Sequence, residues 1–125
     1  LKPPVVVKRD GSREDSDREK LTARLRLALR KRPVPAETIE RTIERIEAEL
    51  LSSGASEVPS TMIGEMVMDA LKRLDKVAYV RFASVYLNFE DVGKFAELIR
   101  DVQASARRKR SEKHTDDDAA DLARS

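Results

Sequence analysis

"PPVVVKRDGSRE", Pro3 to Glu14, decides what kind of fold this chain can adopt. Its β-branched run predicts a strand over Val5 to Arg9, Asp10-Gly11 is a two-residue hairpin signal, and Ser12 to Asp15 supplies the return strand. A hairpin alone is marginal in water, so it must lie on something. The first strand also ends in two adjacent cations, Lys8 and Arg9, at the lip of the turn. Such charges protect a sheet edge against aggregation, or they face an anion.

What the hairpin lies on is helical. Asp17 is placed to cap a helix with Glu19 in its first turn and Leu21, Leu25, Ala28 and Leu29 on one face, running to the Arg32-Pro33 step. A second helix restarts after Pro35, carries Ile39, Ile43, Ile46 and Leu50 as its stripe, and ends at Gly54. "SEVP", Ser56 to Pro59, is extended and supplies a third strand beside the hairpin. Ser60 is read as the cap of a third helix with Ile63, Val67, Ala70, Leu71 and Leu74 inward.

"KVAYVRFASVYLNF", Lys76 to Phe89, is apolar on most faces and holds four of the chain's five aromatic residues, so it is expected to be a central, buried helix. Tyr79, Phe82, Tyr86 and Phe89 form one helical stripe, ordinarily core, with Tyr86 the best placed to flank a ligand through its phenol. An amphipathic segment from Val92 to Val102 follows. Beyond Gln103, a basic block and then an acidic block have little to bury, and residues 103–125 are expected to form a charged, disordered tail. The fold class is therefore mostly α (α+β), four to five helices covered by a small three-stranded sheet, with one domain over residues 3–102.

Composition limits the function. The 125 residues hold 25 basic and 23 acidic side chains, a net charge of only +2. Between Lys8 and Arg32, however, ten Lys and Arg face five Asp and Glu, and an anionic partner is expected there. The absence of cysteine and the single His114 rule out a disulfide framework and a Cys/His zinc site within the chain. No Ser/His/Asp set and no Walker-type or dinucleotide glycine loop can be assembled, so a binding module is expected, with no catalytic residues and no metal site. The Arg107 to Arg110 block has the charge to touch nucleic acid, but the acids from Asp116 onward offset it and a solvated tail is the expectation. No apolar run approaches the roughly 20 residues of a membrane span, so a soluble cytoplasmic protein is expected. Leu1 in place of an initiator Met leads to the expectation of a further N-terminal segment.

"VVVKRDGSRE", the later Lys20 and "LDKVAYVRFASVYLNFEDVGKF" together resemble the NrdR family, bacterial repressors of ribonucleotide reductase genes. The region concerned, from about Pro3 to Val102, is similar to the ATP-cone, the nucleotide-sensing domain found also at the N-terminus of many ribonucleotide reductases. VxKRDG with a downstream lysine is common to ATP-cones, whereas "AYVRFASVY" is specific to the repressors. The resemblance implies that ATP or dATP binds as effector between lid and bundle, with Lys8, Arg9 and Lys20 on the phosphates. Val6 would lie against the adenine, Glu14 and Asp17 would accept from its amino group or a neighbouring polar position, and Ile63 and Gly64 would form the floor. Tyr86 would complete the wall. It implies further that nucleotide shifts a homo-oligomer and thereby controls DNA binding.

The chain departs from the family pattern in two places. It reads "EDSD" where members commonly read "EPFD", so Ser16 replaces an aromatic at the base site. Such repressors also begin with a four-cysteine zinc ribbon that binds DNA, and this chain starts where the ribbon would end. Zinc and operator DNA are thus expected to belong to a ribbon outside this chain. The alternatives are the allosteric cone of a ribonucleotide reductase, against which the charged C-terminal segment speaks, and an interaction module whose nucleotide site has decayed.

Overall fold

A computed structural model describes the backbone of residues 2–87 and 92–124 and the side chains of residues 2–87 and 92–108. The order is β1 (Val5–Val7), β2 (Arg13–Asp15), α1 (Arg18–Ala28), α2 (Ala36–Ser52), β3 (Glu57–Pro59), α3 (Ser60–Leu74), α4 (Lys76–Tyr86) and α5 (Val92–Arg124). Residues 1–87 form one compact unit and residues 88–125 another. The mostly helical fold with a small mixed sheet is the one expected from the sequence.

In the first unit β1 is the middle strand. It pairs antiparallel with β2, Val6 opposite Glu14, and parallel with β3, Val6 beside Val58. Alternation puts Val6 and Val58 inward, where they are 8% and 2% exposed, while Glu57 and Arg13 on the outer face form an ion pair at 2.9 Å.

The hairpin turn is one residue longer than "DG" implies. Lys8 N–H donates to the Ser12 carbonyl at 2.8 Å, so Lys8 and Ser12 still pair and the loop is Arg9-Asp10-Gly11. Gly11 closes it by donating to the Lys8 carbonyl at 2.9 Å and takes φ +85°, the left-handed position of a three-residue hairpin. Asp10 accepts from the Ser12 N–H and hydroxyl, at 2.9 and 2.6 Å, which lowers its pKa and stabilises the longer turn.

The core is built from the expected stripes: Leu21, Leu25, Ala28 and Leu29 of the first helical segment, Ile43, Ile46 and Leu50 of α2, Val67 and Leu71 of α3. Asp17 caps α1 by accepting from the Glu19 N–H at 2.9 Å. Ser60, by contrast, is the first residue of α3 and not its cap; Pro59 stands at the cap position, the last residue of β3, and no side chain caps there.

The α1 helix ends at Ala28, earlier than the Arg32-Pro33 step, and Arg81 of α4 reaches across to carbonyls at and just beyond this end, Ala28 at 3.4 Å and Arg30 at 2.7 Å. Lys31 then takes φ +60°, and Arg32 Nε donates to both oxygens of Asp75 at 2.9 Å each. Asp75 also caps α4, accepting from the Ala78 N–H at 2.9 Å. Burial works to raise the Asp75 pKa, but the Ala78 amide and the Arg32 guanidinium outweigh it and hold the carboxyl below the ordinary aspartate range.

The α4 helix differs from the central, all-buried helix expected. Ala78, Tyr79 and Ala83 are buried, but Phe82 and Tyr86 are half-buried and Val85 is 81% exposed. Its second face lines a cavity instead of core. Phe89 lies outside the described residues.

In the second unit, α5 continues as helix from Val92 to Arg124 where a disordered tail was expected from Gln103 on. From Lys94 onward the segment has no Gly or Pro and is rich in Ala, Arg, Lys and Glu, so helix propensity alone permits the backbone ladder. The side chains of Lys109, Arg110 and His114 lie outside the described residues. Among the described residues no helix is long and apolar enough to cross a membrane, and no cluster of His, Cys, Asp and Glu could hold a metal ion.

Candidate functional site

Between the sheet and helices α1 to α4 lies a cavity of about 1000 Å³. Period-two alternation in β1 sends Val6 and Lys8 to its side of the sheet, and pairing puts Glu14 on the same face opposite Val6. Val6 supplies apolar ceiling, and Lys8, at the strand's end, reaches the diagonal neighbour Glu14 at 2.9 Å.

The same carboxylate is reached from below. Lys20, in the first turn of α1, donates to Glu14 Oε1 and Oε2 at 3.1 and 3.2 Å. The hydrogen bonds from Lys8 and Lys20 hold the Glu14 carboxyl below its usual range, against a smaller opposing effect of desolvation. Two cations from different elements thus converge on one point, beneath a valine, at a cavity large enough for a nucleotide.

The opposite wall depends on one glycine. Gly64, in α3, is buried, and a Cβ there would fall onto the Tyr86 ring. The glycine lets the ring approach the α3 backbone closely, where the Tyr86 hydroxyl donates to the Thr61 carbonyl at 2.9 Å. Phe82 stacks on Tyr86 at 5.6 Å and 15°, and the Arg9 guanidinium lies 5.6 Å from the Tyr86 ring centre. The hairpin tip therefore reaches the aromatic wall through Arg9.

All nine residues singled out from the sequence, Val6, Lys8, Arg9, Glu14, Asp17, Lys20, Ile63, Gly64 and Tyr86, line this cavity, and Ser16 lines it too. The carboxylates of Glu14 and Asp17 are already engaged, one by lysines and the other as helix cap. Arg18, Arg24, Arg81, Phe82 and Val85 also line it without having been selected as site residues. Phe82 was assigned to the core, and Arg81 carried one signal, an arginine inside the apolar run "AYVRFASVY". Among the described residues, six cations and four carboxylates border the cavity, an excess of positive charge suited to a polyanion.

A sheet lid over helices, with converging cations and an apolar ceiling, is the architecture of an effector-binding module, and residues 4–92 match the ATP cone domain family. The chain is 56% identical over 110 residues to the transcriptional repressor NrdR of Aromatoleum aromaticum, covering 88% of this chain and 64% of that protein. It is 62% identical over 103 residues to the NrdR of Bordetella avium, covering 82% and 64%, and 57% identical over 102 residues to that of Methylibium petroleiphilum, covering 82% and 69%. The chain belongs to the NrdR family and carries its ATP cone. It spans just under two thirds of the length of the first two of these relatives. Their names are those of regulators, in keeping with a binding module, and separate the chain from the reductase cones it also resembled.

Proposed function

We propose that this chain is the nucleotide-sensing part of a transcriptional repressor of ribonucleotide reductase genes, acting in the cytoplasm, with ATP or dATP as effector. The observation that carries the reading is the convergence of Lys8 and Lys20 on one point below Val6, at the edge of a cavity of about 1000 Å³.

Lys8, Arg9 and Lys20 hold the phosphates through charge-assisted hydrogen bonds. Val6 and Ile63 give the base apolar contact, Asp17 and Glu14 supply acceptors for its amino group, and Tyr86 on its Gly64 seat closes the wall. Lys8 and Arg9 stand on the lid whereas Lys20 stands on the bundle. A ligand that bridges them has different affinities for different lid positions, which is the requirement for shifting one assembly toward another. The homo-oligomer so selected would present or withdraw an N-terminal zinc ribbon that binds operator DNA and lies outside this chain.

Calorimetric titration of the purified chain with ATP and with dATP tests the site, and light scattering of the same samples tests the switch. Saturable binding with a change in mass is the expected result. No saturation by either nucleotide at millimolar concentration refutes the sensor, and an unchanged mass refutes the oligomer switch.

A further inference from the structure

Within the cavity the Glu14 carboxylate stands where the two lysines converge. Lys8 Nζ lies 2.9 Å from Oε2 and Lys20 Nζ 3.1 Å from Oε1, so both cations share a single planar anion. The two lysines come from different places, Lys8 at the end of β1 and Lys20 on α1, and Glu14 sits on β2. One carboxylate therefore ties the lid to the bundle and screens two like charges from each other. A phosphate group asks for the same thing, two oxygens between two ammonium groups, and cannot share the position with a carboxylate.

Resting on the nucleotide-binding reading above, we propose that Glu14 is a built-in competitor for the phosphate position, displaced when a polyphosphate arrives. The lysines change partner without ever being left bare. Glu14, released, stays on the inner face opposite Val6, beside the base. Displacement makes the affinity a difference between two sets of charge-assisted bonds, and that difference weakens the site. The sensor then requires a ligand with enough negative charge to satisfy both lysines at once.

The test uses the 125-residue chain and inorganic tripolyphosphate, which has the charge but no base. Removing the competitor without moving the lysines, in Glu14→Gln and independently in Glu14→Ala, should tighten tripolyphosphate binding by roughly three- to tenfold, the range open to two exposed ion pairs. Glu57→Gln removes an equal charge from the outer face of the same sheet, where Glu57 pairs with Arg13, and should leave the affinity unchanged. Equal, weaker or undetectable binding by both Glu14 variants relative to the unaltered chain overturns the proposal, as does an equal gain in Glu57→Gln. A parallel ATP titration of the unaltered chain separates the two failures. Saturation by ATP with no gain from the Glu14 variants sinks the competitor alone, whereas no ATP binding sinks the nucleotide-sensing reading.

Discussion

Gly64→Ala sets two known effects against each other. In an ordinary helix interior the change stabilises by about 1 kcal/mol, because glycine gives up more backbone freedom. At Gly64 the nearest atoms to the new Cβ all belong to the Tyr86 ring, and no relaxed position leaves both in place. Tyr86 must turn away, losing its hydrogen bond to the Thr61 carbonyl, about 1 kcal/mol, and its stacking on Phe82, roughly 0.5–1.5 kcal/mol. The loss of ring burial adds to this, so the net expectation is a destabilisation of about 1–2 kcal/mol. In a Tyr86→Ala background the obstacle is gone, and Gly64→Ala should stabilise by about 0.5–1 kcal/mol. The two effects differ in sign, and the coupling is about 2 kcal/mol. Urea denaturation followed by circular dichroism, run on the two single variants, the double variant and the unaltered chain, measures it. A stabilising Gly64→Ala in the presence of Tyr86, or a coupling near zero, would show that the ring does not rest on α3 and that the wall is built differently.

Other expectations concern the core, the clamp and the cations. Leu25 is fully buried, so Leu25→Ala should cost about 2–5 kcal/mol in the same denaturation assay. Asp75→Ala should cost about 1 kcal/mol more than Asp75→Asn, because asparagine keeps the cap on α4 while losing the ion pair with Arg32. The native Asp75 pKa lies below its unfolded value near pH 4, so its stabilisation is complete above about that pH and is lost as the pH falls through the native value. Asp75→Asn should accordingly flatten the acid limb of the stability profile, and an unchanged limb in a pH series of melts would refute the assignment. Lys20→Met should lower ATP affinity by about tenfold and reduce its salt dependence, read by calorimetry at two ionic strengths.

Much of this fold could be read because each of these stripes keeps to one face. Leu21, Leu25 and Ala28, or Ile43, Ile46 and Leu50, are buried on a single face of period 3.6, which is enough to place the helix even where Leu21, Ala28 and Leu50 border the cavity as well. Where a segment was apolar on two faces the reading failed. The α4 helix serves core through Ala78, Tyr79 and Ala83 and cavity through Phe82 and Tyr86, and apolar residues on two faces look the same as full burial. The early end of α1 was not legible because the carbonyls freed there are met by Arg81, more than fifty residues away in the chain. Ser60 looked like a cap because its type suits one, but β3 runs so directly into α3 that the cap position falls on Pro59. The candidate site was legible through chemistry, since Lys8 and Lys20 are the kinds of residue that an anion needs. Their shared hold on Glu14 required the register of the hairpin.

The junction between β3 and α3 has a mechanical meaning. Pro59 is at once the last residue of the strand and the cap of the helix, with no loop between them to absorb motion. β3 is bonded along its length to β1, the strand that carries Val6 and leads into Lys8 and Arg9. The lid and the floor are therefore two arms of one crank. Stiffness at this junction would pass any shift of the hairpin to α3, and through Gly64, one turn into that helix, to the Tyr86 ring that rests against it.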